Sequence, residues 1–372
     1  LVRWKMYKTS GNIRIFKRCY DMMKKWVEYQ SSTDRRNYGV RTVDGKEVPE
    51  QSDLATIPYI QVQQCRGDHL TYDNSTPYIY SATAYAAHSA DILRRTAYIL
   101  GKTDDEKRYS ELFENIKRAF NDAWVNDDGS VSYYGEVSSQ TAHCGESVAL
   151  DGSVTRYTYY AENTPHCPSQ TAYALAVDFD LIPKDKLKNT REYFKNSILR
   201  NNGKLTVGFL GISHLAPALS KVGLDDVAFK LLEQEDNPSW LYSVKNGATT
   251  IWERWNSYIA ETGTFGDVSM NSFNHYSYGA IGQWFFTDIL GIRPVEFGYK
   301  AFMLAPKFGG GLTYAKGSFT SPYGKISSAW KLHDGKFTYD CTVPTNTTAT
   351  LKLPNGDIHT LADGSYHFEI NV

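Results

Sequence analysis

Gly247-Ala248-Thr249-Thr250-Ile251-Trp252-Glu253-Arg254-Trp255-Asn256-Ser257 sets one carboxylate beside a guanidinium and between two indoles. A second polar and aromatic cluster follows, Asn271-Ser272-Phe273-Asn274-His275-Tyr276-Ser277-Tyr278-Gly279. An acid among large flat rings is costly to bury unpaired, because it loses its hydration. Two readings stand side by side. A sugar-cleaving site needs a stacking surface for the C–H face of the ring and a carboxylate to handle protons or a developing cation. The alternative is a structural ion pair, Glu253 with Arg254, near the end of an aromatic-rich helix.

On either side of this stretch the apolar residues recur at helical spacing. Ile13, Phe16, Cys19, Met23, Trp26 and Val27 mark an amphipathic helix from 12 to about 30. Gly67-Asp68 precedes a long Ala-rich helix that starts at Thr76-Pro77 and ends at Gly101, and Asp68 is read either as a turn residue or as a loop acid facing a pocket. His88 in that helix reads as an interior histidine. Thr103, before Asp104, Asp105 and Glu106, reads as the N-cap of the next helix. Residues 130–166 are a long polar excursion, and then helices follow quickly: 168–179 with 184–201, and 213–222 with 225–235. Gly208-Phe209-Leu210-Gly211 is a tight apolar turn, 257–270 a polar insert, and 276–290 a last helix. After 291 the period changes to alternation, with strands expected at 301–304, 312–317, 324–332, 336–343, 348–353, 358–361 and 365–372. The expected fold is mainly α: paired antiparallel helices over 1–292, then a β-sandwich over 293–372.

The chain has 372 residues, long enough for one large domain or two. Its net charge is −1, and its basic residues form no run or stripe of the kind nucleic acid requires. No apolar stretch is long enough to span a membrane. Aromatics make up 14% of the residues, which suits a carbohydrate site but also a large helical core. The five cysteines lack CxxC spacing, so neither a zinc site nor a disulfide scaffold is expected. Whether Cys144 and Cys167 pair across their loop is left open. His143, Cys144, Glu146 and His166 lack the spacing of a metal site, and no cofactor is expected. Leu1-Val2-Arg3-Trp4-Lys5 is neither a Met start nor a signal peptide. It reads as the middle of a helix, so the chain is expected to begin inside a longer polypeptide, and no compartment is read from it.

Residues 247–255 and 270–279 resemble the bacterial α-L-rhamnosidases, a family of inverting glycoside hydrolases. Other stretches agree in order, among them Ile13–Tyr29, Gly67-Asp68, 206–211, 238–240, 298–300, 309–312 and 321–324. The likeness covers nearly the whole chain. It implies an (α/α)6 barrel, here incomplete at its N-terminus, since six hairpins require twelve helices and about eight are read here. It implies hydrolysis of a terminal α-L-rhamnoside, with Glu253 as the base that activates water, kept ionised by Arg254 if the two side chains meet. His275 would hydrogen-bond the sugar hydroxyls beside Asn274, and Asp68, Trp252 and Trp255 would shape the pocket. The implied partner is a rhamnose-containing carbohydrate, with no nucleic acid and no membrane.

The chain departs from the family pattern twice. The family's acid lies in a motif of the kind Asp-Cys-Pro-x-Arg-Glu-Arg-x-Gly-Trp-x-Gly-Asp, which is absent from residues 1–372 and is expected before Leu1. Residues 1–372 alone are therefore expected to hydrolyse nothing. The family often has Trp after Gly-Asp, where this chain has His69, so a weaker stacking platform or a different preference is expected. The rival functions are another glycosidase or a polysaccharide lyase on the same helical frame, with His275 and Tyr276 as candidate lyase groups, and a sugar-binding fragment without chemistry.

Overall fold

In the computed structural model, residues 1–32, 40–43, 46–49, 58–61, 67–72, 76–132, 145–148, 154–157 and 168–372 are described. The chain divides into two compact units, one of residues 25–97 and 102–280, the other of residues 1–24, 98–101 and 281–372. Helix α1 (Val2–Ser10) and helix α2 (Arg14–Ser31) open the chain. Two short ribbons, β1 (Val40–Val43) with β2 (Lys46–Pro49) and β3 (Gly145–Val148) with β4 (Val154–Tyr157), are antiparallel pairs. Cys65, His143, Cys144, His166 and Cys167 lie outside the described residues, and with them the possible Cys144–Cys167 pair.

Among its described residues the larger unit holds three hairpins: α3 (Tyr78–Ile99) with α4 (Thr103–Trp124), α5 (Gln170–Asp178) with α6 (Leu187–Leu199), and α7 (Phe209–Lys221) with α8 (Asp225–Leu232). The first helix of each is rich in small and apolar residues and is buried, while the second is amphipathic. In α5 every residue from Gln170 to Val177 is buried, so no face of it meets water. Helix α4 instead buries Tyr109, Phe113, Ile116, Phe120 and Trp124 at i, i+3, i+4 spacing and leaves its charges outside. Tyr80 of α3 packs between Phe120 and Trp124, with ring centroids at 4.8 and 5.2 Å. Thr103 is the first helical residue of α4, and the cap position is held by Lys102, whose side chain does not cap the helix. The acids Asp104, Asp105 and Glu106 do fill the first turn, where the helix dipole favours them.

Helices α3, α5 and α7 run the same way, and their starts are tied together. The hydroxyls of Thr76 and Ser169 meet at 2.7 Å, and Tyr80 OH donates to the Ala172 carbonyl at 2.9 Å. Gln170 accepts from Thr206 N–H at 3.0 Å and donates to the Lys204 carbonyl at 2.7 Å. The loops 67–72 and 204–211 leave from this tied end. Deeper along the same helices lies a polar cluster. Asp178 bonds His214 Nδ1 at 2.5 Å, and His214 Nε2 bonds the Tyr85 hydroxyl at 3.1 Å. His88 lies flat on Phe179, with centroids 4.1 Å apart and planes 5° off parallel, so the interior reading of this histidine holds.

Burial pushes the His88 imidazole down to about 3; the charge of His214 adds to this and Asp178 opposes it. An unfolded histidine titrates near 6.5. Below that pH the unfolded chain takes up a proton that the native state refuses, so stability is lost as pH falls from about 6.5 towards about 3. The melting temperature of the wild type should therefore fall more steeply between pH 6.5 and 4.5 than that of His88→Gln. Equal slopes would mean that His88 is not held neutral.

The 276–290 segment is not a uniform helix. Ser277–Ile281 is 3₁₀, Gly282–Trp284 is a single α turn, and Phe285–Ile289 widens to a π turn closed by Leu290 N–H on the Phe285 carbonyl at 2.9 Å. The wide turn carries buried Asp288, which is paired with Arg293 and with Lys307. The strands are β5 (Ile292–Pro294), β6 (Ala301–Leu304), β7 (Tyr314–Ser321), β8 (Gly324–His333), β9 (Lys336–Val343), β10 (Thr348–Lys352), β11 (Ile358–Leu361) and β12 (Gly364–Asn371). They form two four-stranded sheets, ordered β11-β10-β6-β5 and β12-β9-β8-β7. Alternation buries Ile326, Ser328 and Trp330 of β8 with Phe337, Tyr339 and Cys341 of β9, and Phe302 and Leu304 of β6 with Ala349 and Leu351 of β10.

Candidate active site

Residues 250–253 and 272–275 pair with one another as short antiparallel segments. Glu253 N–H donates to the Ser272 carbonyl at 2.9 Å, and His275 N–H donates to the Ile251 carbonyl at 2.8 Å. Thr250 adds a hydroxyl bond to the Phe273 carbonyl. This pairing brings the two candidate residues of separate motifs onto neighbouring segments. Glu253 is half-buried, and its Oε2 accepts the Ser272 N–H at 2.7 Å. Among the described residues no donor sits on Oε1. One oxygen is thus held by the backbone, and the other is left for a ligand or water.

Arg254 does not pair with Glu253. Its guanidinium meets Asp267 at 3.2 Å, on the insert 257–270. The stretch 247–257 is a run of turns rather than a helix end, so the structural ion-pair reading of Glu253–Arg254 does not hold. Asp267 also accepts from Ser269 N–H and Oγ at 2.8 and 2.7 Å. Burial works against its charge, but the Ser269 bonds and Arg254 outweigh it and hold the carboxyl below its usual range.

The two indoles do not offer faces to a ligand. Trp252 is 6% exposed and Trp255 is 3% exposed. Trp255 stacks on Tyr278, with centroids 3.8 Å apart, meets Trp240 edge-on at 5.6 Å, and donates its indole N–H to the Val207 carbonyl at 2.9 Å. Trp252 packs edge-on against Phe273 at 5.2 Å. The expected stacking surface is therefore an inner wall: both rings hold the Glu253 segment in place from behind. Tyr278 completes that wall, and its hydroxyl donates to the Leu70 carbonyl at 3.0 Å. Burial pushes its phenol well above the usual range; the charges of Asp68 and Glu253 add to this, and Arg254 opposes it.

Asp68 is buried beneath the start of α7. Its carboxylate accepts Gly208 N–H at 2.8 Å, Leu210 N–H at 2.8 Å, Gly211 N–H at 3.0 Å and the Thr171 hydroxyl. Burial raises its pKa, while Thr171 and the three amides pull it back. An acid on the first-turn amides of a helix satisfies donors that have no partner within the helix. Asp68 is thus no sugar ligand in waiting, because both of its oxygens are occupied. It is a clasp between the loop 67–72 and the turn 206–211. Phe209 N–H donates to the His69 carbonyl at 2.9 Å, and Thr71 Oγ donates to the Thr206 carbonyl at 2.7 Å. At Gly208 a Cβ would come within 2.3 Å of the His69 carbonyl oxygen, so only glycine lets the two loops close on each other.

The clasp sets Phe209, and Phe209 sets His275: the two rings stack at 4.9 Å, 24° off parallel. His69 meets Phe209 edge-on at 5.5 Å. The His275 Nδ1 accepts Ser277 N–H at 3.4 Å, so Nε2 is the nitrogen left for a ligand. Asn274 is exposed, and its backbone N–H is held by Ser272 Oγ at 3.2 Å. Sequence reading missed Ser272 as the amide that grips Glu253 and Phe209 as the ring behind His275. The only signal for the latter was the glycine spacing in 208–211.

Among the described residues no helix is long and apolar enough to cross a membrane, and no group of three or more His, Cys, Asp or Glu is placed to hold a metal ion.

Helical hairpins with a carboxylate and an imidazole on paired segments at one end, and β-sheets after them, are the layout of a six-hairpin glycosidase. Residues 1–289 match the bacterial alpha-L-rhamnosidase six-hairpin glycosidase domain, and residues 291–367 match the bacterial alpha-L-rhamnosidase C-terminal domain. The chain belongs to the bacterial alpha-L-rhamnosidase family. It is 32% identical over 370 residues to an alpha-L-rhamnosidase of Formosa agariphila, covering 99% of this chain and 34% of that protein. It is 33% identical over 354 residues to one of Streptomyces avermitilis, covering 95% of this chain and 28% of that protein. The crystal structure of a Streptomyces avermitilis alpha-L-rhamnosidase complexed with L-rhamnose superposes with a TM-score of 0.80 at 30% identity, covering 100% of this chain and 32% of that one. A native Aspergillus terreus enzyme gives a TM-score of 0.77 at 28% identity, covering 99% and 38%. The chain spans about a third of the length of these relatives.

Proposed function

We propose that this chain carries the base and part of the sugar pocket of an inverting exo-α-L-rhamnosidase, with residues 1–292 as its catalytic domain and 293–372 as a β-sandwich. The observation that carries this reading is the pairing of 250–253 with 272–275, which places Glu253 beside the His275 segment with one carboxylate oxygen fixed. Glu253 takes a proton from water as that water attacks the anomeric carbon, on the face opposite the leaving oxygen. His275, backed by Phe209, bonds the sugar hydroxyls, and Asn274 stands at the same rim. Trp252, Trp255 and Asp68 act from behind, as wall and clasp. A second carboxyl group, about 6.5–9.5 Å from the base in an inverting site, protonates the leaving oxygen. Neither neighbouring aspartate serves as that acid. Asp68 is occupied by four donors, and Asp267 is held ionised by Arg254 and Ser269.

The ligand is a terminal L-rhamnosyl group, a reading supported by the L-rhamnose in the Streptomyces avermitilis complex. Proton NMR of the first turnovers of an α-L-rhamnoside by the polypeptide that carries this chain tests the reading. β-L-Rhamnose appearing first supports it. α-L-Rhamnose first, or no turnover of any rhamnoside, contradicts it.

A further inference from the structure

The residue after the proposed base is a cation that is turned away from it. The Arg254 guanidinium meets Asp267 at 3.2 Å, and among the described residues it has no other carboxylate partner. Its Nε is buried and has no partner among those residues. Asp267 is therefore the charge that holds this guanidinium. Glu253 lies in the same neighbourhood: the Tyr278 phenol, raised chiefly by burial and then by Asp68, also feels Arg254 and Glu253 with opposite signs. Asp267 itself is fixed, accepting from Ser269 N–H and Oγ at 2.8 and 2.7 Å. The insert that carries it is closed by Asn271 Nδ2 on the Ser257 carbonyl at 2.8 Å and by Ile259 N–H on the Thr264 carbonyl at 2.8 Å. At Gly266 a Cβ would come within 2.2 Å of the Asn256 carbonyl oxygen, so the backbone beside Asp267 lies directly against the stretch that carries Glu253.

A guanidinium on Glu253 would do two things. It would donate to the carboxylate oxygen that Ser272 leaves open, where the proposed mechanism activates water. It would also stabilise the charged form of the acid and so weaken it as a base. We infer that Asp267 is a positioning residue for the reaction: it draws Arg254 off Glu253 and so keeps the second oxygen of the base open to water. The inference rests on the reading of Glu253 as the base, and gives the insert 257–270 a task in the reaction.

The test uses the polypeptide that carries this chain, on 4-nitrophenyl α-L-rhamnoside, and compares wild type with Asp267→Asn, Arg254→Gln and the double variant. Asparagine keeps an oxygen for the Ser269 bonds but loses the charge that holds Arg254. Asp267→Asn should lower kcat on the order of tenfold, a part of what a positioned base contributes. It should also move the acid limb of the kcat/KM profile down by about one pH unit or more, the effect of an opposite charge beside a carboxylate. His275, Tyr278 and Asp68 are the same in every variant, so the movement isolates the pair. Arg254→Gln should stay within about threefold of wild type, since such a pair adds little of its own. Added to Asp267→Asn, it should restore most of the lost turnover and return the acid limb. A pair that only braces the insert gives another pattern: both single variants lose turnover alike, the double variant is no better, and the acid limb stays. That pattern, or an Asp267→Asn that matches wild type, overturns the inference. If Asp267→Asn does not fold, Arg254→Gln decides: turnover within about threefold of wild type supports the inference, and a larger loss overturns it. Glu253→Gln on the same substrate separates the two readings. Retained turnover there overturns the base assignment and this inference with it, whereas its loss beside an unaffected Asp267→Asn overturns only the role of Asp267.

Discussion

Glu253→Gln should lower rhamnoside turnover about 10²–10⁴-fold, the usual contribution of a positioned base. The substitution keeps the shape of the side chain. The amide oxygen can still accept the Ser272 N–H that Oε2 accepts at 2.7 Å, so the pairing of 250–253 with 272–275 has no reason to loosen. Only the capacity to take a proton from water is lost. In free-energy terms the loss is about 2.7–5.4 kcal/mol of barrier, at 1.36 per tenfold. It should appear in kcat with little change in KM, because the role proposed for Glu253 lies in the attack rather than in holding the bound sugar. Steady-state kinetics on 4-nitrophenyl α-L-rhamnoside, alongside thermal melts that match the wild type, measure it. Turnover within about threefold of wild type would mean that the base is another group.

The largest effect on stability should come from Asp68→Ala. It strips a partner from three amides, those of buried Gly208 and Gly211 and of half-buried Leu210, and from the Thr171 hydroxyl. Each buried donor left unpaired costs about 1–3 kcal/mol. Water entering the space that the carboxylate leaves offsets part of this, so a net loss on the order of 3–5 kcal/mol is expected. The damage should not stay local. The start of α7 carries Phe209, whose ring backs His275, so the surviving folded protein should also bind rhamnose more weakly. Urea unfolding and rhamnose titration test the two effects. A loss below about 1 kcal/mol would show that the α7 start does not depend on Asp68.

Much of this was legible from sequence because its causes are local. The 3.6-residue spacing of apolar residues in α4, the glycine after α3 and the alternation in β8 and β9 state their elements within a few residues of each other. Glu253 and His275 stood out because their residue types are costly among rings. What was not legible depends on partners far along the chain. Asp68 looked like a turn residue or a pocket acid because its three amide partners sit 140 to 143 residues away. Trp252 and Trp255 looked like sugar platforms because an indole beside an acid reads the same in a pocket and in a core. Only the packing of Tyr278, Trp240 and the Val207 carbonyl around Trp255 tells them apart. The partner of Arg254 was misplaced for the same reason: adjacent residues invite pairing, but the insert supplies Asp267 instead.

The role of Glu253 as the water-activating base is tested most directly by azide rescue of Glu253→Ala. Removing the side chain leaves space where the attacking water is activated, and azide, already anionic, needs no base to attack the same carbon. The account predicts that azide restores cleavage of an activated α-L-rhamnoside and that the product is β-L-rhamnosyl azide, formed by attack opposite the leaving group. An α-L-rhamnosyl azide, or no azide adduct at all, would contradict it.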